Sequence, residues 1–101
     1  LNDTKLLENA GAFSIVLECV ETKLSKQITK NIEIPTIGIG SSSNCDGQVL
    51  VIDDLIGMSD SKFKFVKKYV DTSKIINSAV NKYKNEVKNK QFPKAKHSFI
   101  N

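Results

Sequence analysis

Glu18 is the residue whose type and setting call first for a chemical explanation. It follows Ile15, Val16 and Leu17 in "SIVLECV", an apolar run that reads as a strand buried on both faces. A charge at the end of such a strand is costly unless something uses or neutralises it. A carboxylate partly stripped of water is suited to take a proton as a general base. The other use is structural, an ion pair with a lysine at the mouth of the fold. A second stretch, "GIGSSSN", offers Gly38 and Gly40 for close backbone approach and Ser41 to Ser43 before an expected helix N-terminus. That arrangement favours anions such as phosphate, although the same glycines also serve a tight strand-to-helix turn. Asp53 and Asp54 are neighbours that point apart on a helix, with no third oxygen ligand for Mg²⁺, and read as surface. Cys19 has no nearby base to activate it as a nucleophile. His97 stands alone in a polar tail and reads as solvated or hydrogen-bonded.

The elements that must position these residues alternate. Leu6, Leu7 and Ala10 share a side of an opening helix that Gly11 stops. Phe13 to Val20 is the first expected strand. Thr22 to Asn31 follows as a helix, with Leu24 and Ile28 one turn apart and Lys23, Lys26 and Lys30 facing water. Pro35 forces its predecessor into extended geometry, and Thr36 to Gly40 is the second strand. The next stretch, 46–57, is compatible with a strand at Gln48 to Ile52. A helix fits better, because only a short connection separates it from Gly40 and a parallel crossover needs about a dozen residues. In that helix Asp46 is the N-cap and Gly57 the stop. The third strand is then expected at Phe63 to Tyr69. The clearest helix runs from Thr72 to Lys90, with Ile75, Ile76, Ala79, Val80, Tyr83 and Val87 as its stripe and Thr72 or Ser73 as its cap.

Strict alternation with short connections implies an α/β fold with a parallel sheet. The pattern fits the last three βα units of a (β/α)8 barrel, a fold of about 250 residues when whole; an open doubly wound sheet is the rival. In both, ligands bind at the carboxyl ends of the strands, where Glu18, Gly40 to Asn44 and Tyr69 to Asp71 would fall.

The 101 residues suffice for one small core. The chain opens on Leu1-Asn2-Asp3 in what reads as the end of an element, so a piece of a longer polypeptide is expected. No apolar run approaches the ~18 residues of a membrane helix. Two cysteines give neither a disulfide framework nor metal-ligand spacing, and a reducing cytoplasm is the default location. Charge is divided: residues 1–61 carry −5 and residues 62–101 carry +9. All fifteen cations are lysine. Without arginine, whose planar fork best reads phosphate and guanine, the basic half reads as a solvated face rather than a nucleic-acid surface.

Five segments together point further. "AGAFSIVLECV", "IPTIGIGSS", "CDGQVLVIDDLIGM", "KFVKKY" and "FPKAKHSF" resemble, in order and spacing, the ketopantoate hydroxymethyltransferase family over about Ala10 to Phe99. The resemblance implies a (β/α)8 TIM barrel of the phosphoenolpyruvate mutase/isocitrate lyase superfamily. Residues 1–91 would be its last three βα units and 92–101 a C-terminal tail. It implies transfer of a one-carbon unit from 5,10-methylenetetrahydrofolate to 3-methyl-2-oxobutanoate, giving ketopantoate on the way to pantothenate and coenzyme A. Mg²⁺ is implied as the Lewis acid that assists enolate formation, with its ligands outside this segment. The Glu of the family's "LEC" motif is the base, and Glu18 stands there. Glu21 replaces a common Pro, and Ser41-Ser42 replace a usual Ala-Gly. The family also implies a homo-oligomer engaging the C-terminal helix, and the stripe from Ile75 to Val87 can equally pack on its own barrel; neither nucleic acid nor membrane is expected as a partner. The isolated chain is expected to be inactive. A phosphate-binding barrel enzyme using "GIGSSS" and a non-catalytic assembly fragment are the alternatives.

Overall fold

The computed structural model describes residues 1–99. Its centre is a parallel sheet in the order β1 (Ile15–Glu18), β2 (Thr36–Ile39), β3 (Gly47–Gln48). Around it lie α1 (Asn2–Asn9), α2 (Thr22–Asn31), a single turn α3 (Ile52–Leu55), α4 (Thr72–Lys88) and a 3₁₀ turn at Ala95–His97. The mixed helix and parallel-sheet architecture is thus the expected one. Ile15 pairs with Thr36 and Glu18 with Ile39, while Ile37 and Gly38 pair with Gly47 and Gln48.

The period of two along β1 decides which face is covered. Ile15 and Leu17 are buried, whereas Val16 and Glu18 are exposed. On the covered face α2 brings Ile28, and Ile32 beyond its end, against Ile15, Leu17 and Cys45; Val20 and Ile34 pack at the margin. Ser25 and Thr36 are fully buried polar residues there, and both are satisfied. Ser25 donates to the Val20 and Glu21 carbonyls. Thr36 N–H donates to Asp46 Oδ2 at 2.9 Å, and Asp46 N–H returns a bond to Thr36 Oγ1 at 3.1 Å. Glu8 of α1 accepts from Glu33 and Ile34 N–H, tying the first helix to the α2–β2 connection.

Three expectations are corrected. Residues 46–57 are not one helix: Gly47–Gln48 is a strand, and only Ile52–Leu55 is helical. Asp46 is not a helix cap, because its carboxylate holds the start of β2. The short connection from β2 to β3 works because β3 pairs two residues back from the end of β2, so the loop needs to return only a short distance. Phe63 to Tyr69 is not a strand. The backbone turns there, with Val66 N–H bonded to the Phe63 carbonyl, and returns to α3 through Tyr69 N–H and the Leu55 carbonyl. Thr72 and Ser73 do not cap α4. Asp71 does so, accepting from Lys74 N–H, while the two hydroxyls bond the Ile56 and Gly57 carbonyls.

Candidate active site at the carboxyl ends of the strands

β1 carries Glu18 to the carboxyl edge of the sheet, on the face that α2 leaves uncovered. Val16, Ile37 and Ile39 share that face by register, with Val16 57% exposed. Glu18 is exposed, and among the described residues no ion pair engages it; Lys68–Asp71 is the ion pair present. The structural alternative of a lysine partner for Glu18 is therefore not met within the described residues.

Directly after Glu18 the backbone leaves the strand through Cys19, whose φ of +53° lies in the left-handed region. Such a conformation costs a side-chain-bearing residue about 1–3 kcal/mol and persists only where its surroundings impose it. Here Cys19 N–H bonds the Ile39 carbonyl at 2.9 Å. Ser41 Oγ donates to the Leu17 carbonyl at 2.5 Å and accepts from Val20 N–H at 3.1 Å. Glu21, three residues on, turns away from Glu18 and accepts from Lys23 and Leu24 N–H as the N-cap of α2. Its charge thus lies at the positive end of a helix.

The "GIGSSSN" loop leads into β3 and not into the expected helix, and two of its three serine hydroxyls are engaged. Ser41 is committed to β1, and Ser42 Oγ accepts from Asn44 N–H and side-chain Nδ2. Gly40 is required by geometry: its φ is +66°, and a Cβ there would lie 2.8 Å from Phe65 Cδ1. The Phe65 ring therefore seals the turn after β2. Two open cavities flank it, of about 540 Å³ and about 610 Å³. The first is walled by Val49, Leu50, Leu55 and Tyr69, and the second by Cys19, Glu21, Ser41 and Lys64. Glu18 lines neither.

Among the described residues no group of three His, Cys, Asp or Glu side chains comes together to hold a metal. Asp53 is exposed, and Asp54 accepts a bond from Ser59 Oγ. His97 lies far along the chain, where its Nδ1 accepts from Lys94 N–H and its ring packs on Phe92. Cys19 is exposed and Cys45 buried, both as free thiols. Sequence reasoning missed the hydroxyl of Ser41 as a partner of β1. No local signal carries it, since the bond spans 24 positions.

The sequence profile of ketopantoate hydroxymethyltransferase matches residues 1–95. The chain belongs to the ketopantoate hydroxymethyltransferase family. It is 59% identical over 99 residues to the 3-methyl-2-oxobutanoate hydroxymethyltransferase of Pelagibacter ubique, covering 98% of this chain and 38% of that protein. The namesake of Carboxydothermus hydrogenoformans is 57% identical over 100 residues, with 98% and 36% covered. That of Francisella tularensis subsp. tularensis is 52% identical over 100 residues, with 98% and 38% covered. The chain therefore spans a little over a third of the length of the curated relatives it matches. No helix among the described residues is long and apolar enough to cross a membrane.

Proposed function

We propose that this chain supplies the general base of a ketopantoate hydroxymethyltransferase and forms the C-terminal part of its (β/α)8 barrel, a barrel of the phosphoenolpyruvate mutase/isocitrate lyase superfamily. The observation that carries the reading is the place of Glu18. It stands at the carboxyl end of β1, on the open face of the sheet, in a family whose members by name act on 3-methyl-2-oxobutanoate. In a parallel barrel that face and that edge look into the active site.

In this reading Glu18 takes the C3 proton of the keto acid. The resulting enolate forms the new carbon–carbon bond to the methylene carbon of 5,10-methylenetetrahydrofolate as one of its two C–N bonds breaks. Water then displaces the second nitrogen at that carbon, supplying the hydroxyl of ketopantoate and releasing tetrahydrofolate, whose two nitrogens receive the proton taken by Glu18 and the one left by water. The described residues of this chain do not fit Mg²⁺, since they gather no ligand set. The metal would be held, with most of the pocket, by other strands of the barrel. The open sheet face of Val16, Glu18, Ile37 and Ile39 is then the lining that those strands would cover. The exposed stripe of α4 is assigned to contact with a second copy, and the location to the cytoplasm.

The test is Glu18→Gln in the full-length polypeptide. Transfer to the keto acid should fall to background while keto-acid affinity stays within about threefold, because a base acts on the transition state more than on ground-state binding. Transfer at the wild-type rate would remove Glu18 from the chemistry.

A further inference from the structure

One hydroxyl brackets the pair Glu18-Cys19 on both sides. Ser41 Oγ donates to the carbonyl of Leu17, the residue before the pair, and accepts from the N–H of Val20, the residue after it. Between these bonds Cys19 holds its left-handed φ of +53°. The turn has two further anchors, from Cys19 N–H to the Ile39 carbonyl and from Ser25 Oγ to the Val20 carbonyl. Ser41 is half-buried, so water competes weakly for its two bonds. It is itself fixed by Gly40, whose turn is closed by Phe65.

We infer that Ser41 is a positioning residue for Glu18, its hydroxyl clamping the β1 exit turn so that the carboxylate stays on the open face of the sheet. This role rests on the assignment of Glu18 as the base. The physical content is a population. With the clamp, the turn has a single arrangement. Without it, Val20 N–H and the Leu17 carbonyl turn to water, Cys19 can relax toward ordinary φ, and Glu18 shares its time among orientations of which few are productive. The Cys19 N–H to Ile39 carbonyl bond remains without the hydroxyl, so its loss should give a graded effect, not an absolute one.

The experiment compares Ser41→Ala and Ser41→Thr with the unsubstituted full-length polypeptide, reading exchange of the keto acid's C3 proton with deuterated solvent in the presence of Mg²⁺. Ser41→Ala should lower kcat for exchange about 5–10-fold, as sub-ångström misplacement of a reacting group does. KM and the melting temperature should stay unchanged. Ser41→Thr keeps the hydroxyl and should return the rate to within about twofold, since rate follows the competent population. Exchange by Ser41→Ala at the wild-type rate would overturn the role, as would a loss that follows a fall in melting temperature and is not rescued by Thr. Glu18→Gln separates the two assignments. If it retains exchange, the base assignment falls and the role of Ser41 with it. If it abolishes exchange while Ser41→Ala is unimpaired, only the role of Ser41 falls.

Discussion

Two carboxylates separated by two residues take different work because the backbone turns between them. Glu21 is spent on the first turn of α2, whose Lys23 and Leu24 N–H groups it accepts, and Glu18 is left facing the open sheet. The division depends on the turns at the strand ends being tight, and Gly40 is the residue at which this can be measured. Gly40→Ala places a Cβ against the Phe65 ring and in an unfavourable φ region. A cost of about 1–2 kcal/mol is expected from the backbone term alone, read as a shift in the urea midpoint. Adding Phe65→Ala should recover part of the loss, since contacting residues do not contribute additively. Full additivity would show that the ring does not seal this turn.

At the scale of elements, what was legible in the sequence tracks how local its signal is. α2 begins and ends where its apolar spacing and Pro35 predict, at Thr22 and Asn31. β1 and β2 fall inside the expected apolar runs. The third strand was not legible, because two residues cannot display a period, and its pairing to β2 is a tertiary fact. Phe63, Phe65 and Tyr69 suggest a strand, yet Phe65 is drawn to Gly40 and the segment pairs with none of the described strands. Phe63 and Phe65 stack at 5.4 Å instead. The candidate base was legible from one charge ending an apolar run, whereas the clamp around it was not. Asp71 shows the same limit: three adjacent residues can all cap a helix, and only the bonds of Thr72 and Ser73 to the Ile56 and Gly57 carbonyls decide among them. Asp71→Ala should destabilise the start of α4 by about 1 kcal/mol, seen as roughly fivefold faster amide exchange at Lys74 and Ile75. Unchanged exchange there would assign the cap elsewhere.

The whole molecule is extended. Its radius of gyration is 23.3 Å and its extents are 72 × 29 × 16 Å, against about 13 Å expected for the radius of gyration of a compact domain of this length. Among the described residues five apolar side chains form the core. Ile75, Ile76, Val80, Tyr83 and Val87 leave the stripe of α4 largely exposed, with Tyr83 meeting Phe92 edge-on, and Val16 is exposed on the sheet. A sheet with one open face and a helix with a largely exposed stripe do not enclose a pocket around Glu18 among the described residues. The 101-residue chain purified by itself is therefore expected to show no heat of binding on titration with Mg²⁺ and 3-methyl-2-oxobutanoate, and no turnover. Turnover by that chain would contradict the assignment of the metal site and most of the pocket to other strands.

If Glu18 removes the proton beside the keto acid's carbonyl, proton exchange reads that event without the later steps. The full-length polypeptide, its Glu18→Gln variant and a solvent control would be incubated with 3-methyl-2-oxobutanoate and Mg²⁺ in deuterated water, with no folate present. Nuclear magnetic resonance would follow loss of the C3 proton signal. Exchange is expected from the unsubstituted polypeptide and only the control rate from Glu18→Gln, with both proteins unfolding at the same temperature. Exchange by a folded Glu18→Gln variant at the unsubstituted rate would contradict the assignment of Glu18 as the base.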